Sequence, residues 1–187
     1  MRLVVRREDE VAPVGDEDLI DACARGDRDA LGTLFDRHQK SLTNFIGRAF
    51  GRRDVEDLVQ QTFLQVWQSA DRFKKRSSVR TWILGIGANL ARNQSRTSAR
   101  RRLALASYAP DTGVQTPERI VEQREKLVRL EAALEALSTD LRVAFVMCEI
   151  EHVPGAEAAK VLGVRTGTIW RRLHEARRLL SSAIEEE

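Results

Sequence analysis

Apolar residues recur three and four positions apart along most of this chain, and that spacing predicts helices. Leu19, Ile20 and Cys23 mark one face of a first helix, with Asp16 as its cap and its end near Arg25. Gly26-Asp27 breaks it and caps a second, whose apolar row is Ala30, Leu31, Leu34, Phe35, His38, Leu42, Phe45, Ile46 and Ala49. His38 reads as a partly buried packing residue of that row. Gly51-Arg52-Arg53 is a loop and Asp54 an N-cap. Val55, Leu58, Val59, Thr62, Phe63, Val66 and Trp67 then form the apolar face of a third helix. Its other face is Glu56, Asp57, Gln60, Gln61, Leu64 and Gln68, a stripe with few charges and one large apolar residue. Docking and simple solvation are both open readings of that stripe.

A basic loop follows, Asp71-Arg72-Phe73-Lys74-Lys75-Arg76-Ser77, and Ser78 can cap the next helix. Val79, Trp82, Ile83, Ile86, Leu90 and Asn93 give that helix its period, with Gly85 and Gly87 inside it. Each interior Gly costs about 1 kcal/mol relative to Ala, so close approach of a neighbour is the expected reason for both. From Ser95 to Thr116 the period decays, and Pro117 fits the first turn of a new helix capped by Thr116. Leu127, Leu130, Ala133, Leu134 and Leu137 continue it, Ser138-Thr139-Asp140 breaks and recaps, and Leu141, Ala144, Phe145, Cys148 and Ile150 make a further face.

The last third carries the most specific pattern. Pro154 to Arg178 reads as helix, tight turn, helix. Gly163 suits a turn that needs positive φ. Ala159 is small enough for two helices to cross, and Leu162, Val164, Ile169 and Leu173 can fill the angle between them. Thr166 or Thr168 can cap the second helix. That helix bears Arg165, Arg171, Arg172, Arg177 and Arg178, the arrangement of a helix-turn-helix entering a DNA major groove. A plain helical hairpin with a solvated Arg face is the competing explanation.

Composition narrows the classes. In 187 residues, 42% hydrophobic content supports real cores, while 5% aromatics and 4 Pro favour helices over a β-sandwich. The fold expected is all-α: an arm at 1–15, a helical domain at 16–97, a flexible basic linker at 98–116, and a domain with the helix-turn-helix at 117–187. A net charge of +3 is modest, so its placement matters more than its size. Between Asp71 and Arg102, the cations at 72, 74, 75, 76, 80, 92, 96, 100, 101 and 102 face one acid. Two basic tracts suggest two contacts with a long polyanion.

Cys23 and Cys148 stand apart and outside any ligand-spaced cluster with His38, His152 or His174, so no metal or cofactor is expected. They read as small buried hydrophobes of a reducing compartment. No run approaches a membrane span and no signal-peptide core opens the chain, so a cytoplasmic protein without membrane contact is expected. No catalytic constellation is visible, so an enzyme is not expected.

At this point the motifs resemble a family. Asp54 to Trp67 is similar to the core-polymerase-binding helix of bacterial sigma-70-type factors, and Val79 to Asn89 to the promoter-melting helix that follows it. The helix-turn-helix resembles the domain that reads the −35 element. With two domains only, the chain resembles the small extracytoplasmic-function class, from about Asp16 to Leu180.

The resemblance implies roles. Asp57, Gln60, Gln61 and Leu64 would bind core RNA polymerase. Phe73, Lys74, Lys75, Arg76 and Ser77 would form the loop that captures a base flipped from the −10 strand, with Arg80, Trp82 and Asn89 beside it. Phe73 could equally plug the core. Arg165, Thr166, Thr168, Trp170, Arg171, Arg172 and Arg177 would meet the −35 major groove. An anti-sigma factor would be a further partner. The chain departs from the family pattern at Gln61 (usually Glu), at Ser138-Thr139 (usually near a Pro), and at Trp170 (usually basic). It also departs after Ile150, where Val153-Pro154-Gly155-Ala156 replaces a Ser followed by acids. The implied function is an alternative sigma factor that directs polymerase to promoters and starts their melting. The rival is a free-standing helix-turn-helix repressor or activator.

Overall fold

The computed structural model describes residues 14–51, 54–104 and 132–185, and every regular element among them is helical. Four helices build the N-terminal half: α1 (Asp16–Ala24), α2 (Arg28–Phe50), α3 (Val55–Ser69) and α4 (Val79–Ala104). In the C-terminal half a helical stretch over 132–136 leads to α5 (Thr139–Phe145), and a π-helical turn, Val146–Ile150, continues it. The helix-turn-helix is α6 (Gly155–Val161) and α7 (Thr166–Glu185).

The predicted apolar rows are the buried ones. Leu34, Leu42, Phe45 and Ile46 of α2 are fully enclosed, and Val66 of α3 and Ile83 and Leu84 of α4 pack onto them. Phe35 and Phe63 meet edge to face at 4.9 Å, a geometry that aligns ring edge with ring face. Thr62 is enclosed too, and its hydroxyl donates to the Leu58 carbonyl at 2.6 Å, so burial leaves no donor unpaired.

Caps divide in a way the sequence does not reveal. Asp27 accepts from the backbone N–H groups of Asp29 and Ala30, and Ser78 Oγ accepts from Thr81 N at 3.1 Å. Asp16 does not cap α1. It is the first helical residue, and its carboxylate is taken by Arg37 and His38 at 2.7 Å each. Asp54 stands before α3 with φ +57 and makes no side-chain cap; it accepts from Gln94 at 3.4 Å. α7 begins at Thr166 itself, so Arg165 and not a threonine precedes it.

α4 is longer than its apolar period. It runs to Ala104, through seven residues of the stretch read as linker. No Gly or Pro lies between Gly87 and Pro110, and Arg, Ala and Leu dominate residues 99–104, so backbone propensity continues the helix after the apolar signal stops. The N-terminal arm, the Thr116-Pro117 helix start, Leu127 and Leu130 lie outside the described residues.

The two halves close on each other. One buried cluster runs from Leu34 and Phe45 through Val143, Ala144 and Met147 to Ala158 and Ile169. The two interior glycines of α4 explain part of this. A Cβ on Gly87 would meet Leu42 Cδ1 at 2.8 Å, within the N-terminal half. A Cβ on Gly85 would meet Val161 Cβ at 2.5 Å, in the helix-turn-helix.

Candidate nucleic-acid and protein-docking faces

α3 presents its polar stripe to solvent. Leu58, Val59, Phe63 and Val66 are turned inward, which fixes Asp57, Gln60, Gln61 and Leu64 outward on neighbouring turns. Leu64 is 61% exposed, an isolated apolar side chain among polar neighbours. Among the described residues no hydrogen bond or ion pair engages Asp57, Gln60 or Gln61, so all three side chains are available to a partner.

The loop before α4 sorts its residues. Phe73 packs on Trp82, ring centroids 5.1 Å apart and tilted by 46°, so its ring serves the fold. Both rings stay half-exposed, which leaves an aromatic surface at the loop. Lys74 and Arg76 extend into solvent. Lys75, at φ +52, turns back to α1 and pairs with Glu17 at 3.1 Å and Asp21 at 3.5 Å. The hydrogen bond to Glu17, with the nearby Asp21 charge, raises the Lys75 pKa. Ser77 Oγ donates to the Ser78 carbonyl.

Arg80 and Asn89 point elsewhere. The Arg80 guanidinium pairs with the Glu151 carboxylate, donates to the Glu151 carbonyl at 3.0 Å and to Ser41 Oγ at 2.8 Å. Asn89 Nδ2 donates to the Val161 carbonyl at 3.3 Å. Both are therefore held by the C-terminal half.

The helix-turn-helix is built as its pattern predicts. Ala158, Ala159, Leu162, Ile169 and Leu173 are buried in the angle, Val164 is half-buried, and Gly163 takes φ +67 at the turn. Trp170 is 54% exposed, yet one side of its indole lies over Gly155. A Cβ there would sit 3.0 Å from ring atom Cζ2, so a residue at the start of α6 is kept small by the aromatic on α7. Arg165, Thr166 and Arg171 are exposed and Thr168 is half-buried. Arg172 is largely enclosed and pairs with Asp140; Arg177 pairs with Glu149.

Sequence reading missed Asp140, Glu149 and Glu151, the acids that hold these arginines. Glu149 and Glu151 do stand out as charges in an apolar stretch, from Leu141 to Val153, but their partners are up to 110 residues away. Burial, then the Glu149 charge, pushes the Cys148 thiol up to about 11 against the opposing pull of Arg177. Among the described residues no group of three or more His, Cys, Asp or Glu could hold a metal ion.

Comparison with known proteins agrees with this geometry. The Sigma-70 region 2 model matches residues 34–101 and the Sigma-70 region 4 model residues 127–180. The ECF RNA polymerase sigma-E factor of Haemophilus influenzae is 27% identical over 180 residues, 91% of this chain and 95% of that one. Its counterpart from Escherichia coli K12 is 25% identical, over 91% and 94%. CnrH, solved in complex with the cytosolic domain of CnrY, superposes with a TM-score of 0.67 at 30% identity, over 92% of this chain and 98% of that one. The sigma factor RpoE from Bartonella quintana, solved with the anti-sigma factor NepR, shares the fold at a TM-score of 0.69 and 23% identity, over 83% and 97%. Both sigma-70 regions occur in order on a chain that spans nearly the full length of these relatives, and the protein belongs to the sigma-70 family of RNA polymerase sigma factors, in its ECF class.

Proposed function

We propose that this alternative sigma factor, which directs core RNA polymerase to specific promoters and initiates their melting, docks through the α3 stripe of Asp57, Gln60, Gln61 and Leu64. The observation that carries this reading is Leu64, exposed at 61% on a stripe whose polar side chains Asp57, Gln60 and Gln61 have no partner among the described residues. Exposed apolar anchors ringed by polar groups are what protein interfaces use. Gln61 adds a hydrogen-bonding amide where the family pattern has a charge.

Residues 16–97 serve polymerase and the −10 element, 98–116 the connection, and 117–187 the −35 element. Base capture falls to the exposed sides of Phe73 and Trp82, flanked by Lys74, Arg76 and Ser77, with Lys75 reaching the site only if it leaves Glu17. Unstacking a base costs a few kcal/mol, and stacking on an aromatic returns about 1–3 kcal/mol per base. Arg165, Thr166, Thr168, Trp170 and Arg171 face the −35 groove, with Arg172 and Arg177 entering it after release from Asp140 and Glu149.

The chemistry is the polymerase's, so the chain acts in the cytoplasm as an initiation factor and not as an enzyme. Its partners are core polymerase, promoter DNA and an anti-sigma factor. A free-standing repressor would leave the α3 stripe unexplained and is not favoured by two sigma-70 regions in order. Transcription from a pooled promoter library with purified core polymerase tests the reading. Wild type should give defined starts, and Asp57→Ala with Gln60→Ala should abolish them; starts unchanged by the pair would sink the α3 assignment.

A further inference from the structure

Trp170 is an uncharged aromatic on the outer side of a basic helix. Ile169 and Leu173 are buried in the angle of the helix-turn-helix, which turns Trp170 and Arg171 outward. Arg165 and Thr166, earlier in the same segment, are exposed as well. Trp170 is the fifth residue of α7, and the first turns of a recognition helix are the part that meets base edges.

The chemistry of the side chain limits what it can read there. An indole has one N–H donor and no charge, so it cannot neutralise a phosphate. Its gain on binding comes from apolar surface taken out of water. The apolar group that a base pair shows in the major groove is the C5 methyl of thymine.

The ring is also seated. Its six-membered part lies over Gly155, the buried first residue of α6. A Cβ on Gly155 would stand 3.0 Å from Cζ2, 3.3 Å from Cη2 and 3.4 Å from Cε2 of the indole. A side chain at 155 would therefore press on the ring, and glycine leaves it room to rest on the backbone. One side of the indole is packed while the residue stays 54% exposed, so the ring is oriented before DNA arrives. An aromatic oriented in advance loses little freedom on binding.

Resting on the reading of α7 as the −35 helix, we propose that Trp170 is a specificity-determining residue that reads the C5 methyl of a thymine in the −35 element. Gly155 is the positioning residue that holds the indole for that contact. Arg171, next to it, supplies a phosphate contact, so base choice and salt-dependent affinity are divided between adjacent side chains.

The test uses holoenzyme assembled from core polymerase and the full chain, on a promoter recovered from the pooled library. Each thymine of its −35 segment is replaced in turn by deoxyuridine, which removes the methyl and keeps the hydrogen-bonding groups. In competition binding, one replacement should weaken wild type about fourfold, the worth of burying one methyl group. Trp170→Arg should bind the thymine and uracil duplexes equally, and its salt slope should rise by about 1 through the added cation. Gly155→Ala should lower the thymine-over-uracil ratio, because its Cβ displaces the indole. The scan on wild type depends on no variant's folding, and the absence of any weakening position overturns the proposal. So does a thymine preference that Trp170→Arg retains. A ratio that Gly155→Ala leaves at the wild-type value overturns the positioning role. If Arg171→Ala still weakens duplex binding, the −35 reading of α7 stands and the thymine contact alone falls; if it does not, that reading falls as well.

Discussion

Gly85 of α4 lies so close to Val161 of α6 that a Cβ at position 85 would stand 2.5 Å from Val161 Cβ and 3.3 Å from its carbonyl oxygen. A Cβ on Gly87, two residues on, would meet only side-chain atoms, the flexible ends of Leu42 and Ile46 and the Thr62 hydroxyl. The two substitutions should therefore differ. Gly85→Ala should push the halves apart, raising the radius of gyration. Gly87→Ala should leave compactness unchanged and shift stability by less than about 1 kcal/mol, because helix propensity offsets the strain. Equal effects in scattering and thermal melts would contradict the packing.

Leu64 contributes no core packing, so Leu64→Glu should leave circular dichroism and melting unchanged. Binding to core polymerase should weaken about thirtyfold, near 2 kcal/mol, if Leu64 is a central anchor. Retained affinity in a pull-down titration would move the docking face off α3.

Arg171 and Arg172 are neighbours with different surroundings. Arg171→Ala should weaken duplex binding, lower the salt slope by about 1 and spare the fold, as expected of a phosphate contact. Arg172→Ala removes a largely enclosed guanidinium from Asp140 and should cost about 1–2 kcal/mol in a denaturant titration. The reverse ranking would mean that Arg172 is not part of the fold's packing.

Burial tends to raise the Asp16 carboxyl, but hydrogen bonds from Arg37 and His38 outweigh it and lower its pKa below the ordinary 3.8. A depressed carboxylate contributes stability that is present above its unfolded pKa and lost as pH falls through the folded one. Asp16→Asn should thus destabilise the protein at pH 7, and its deficit against wild type should shrink below about pH 4. A deficit independent of pH would show that Asp16 acts by shape alone.

The Cys148 thiol is held up at about 11, against an ordinary 9.0. At pH 8 its thiolate fraction should be about a hundredfold below that of the unfolded chain, and alkylation correspondingly slow. The raised pKa also adds stability that is complete below pH 9 and is lost as pH rises toward about 11. Rapid native-state alkylation would show that Cys148 is not held in this apolar setting.

Local pattern was sufficient for the helices themselves. The rows Leu34-Leu42-Phe45 and Leu58-Val66 bury as their spacing requires, because a helical period fixes which side chains share a face. The Gly163 turn and the caps at Asp27 and Ser78 were legible for the same reason: each depends on residues within a few positions. The exposure of the Asp57–Leu64 stripe followed from the burial of the opposite face.

What the sequence could not decide is where charged side chains find partners. Asp16 looked like a cap, yet Arg37 and His38 reach it across two helices. Arg80 looked free for DNA, yet a carboxylate 71 residues later holds it, and Arg172 is held by Asp140. Long polar side chains can satisfy a charge in many directions, and only the packing of separate helices, α1 on α2, α4 beside the π-helical turn and α5 on α7, brings these donors and acceptors together. The chain's own order of motifs determined the family resemblance and the helical elements; tertiary structure decided which basic residues are exposed, because burial of a charge depends on neighbours that sequence distance does not reveal.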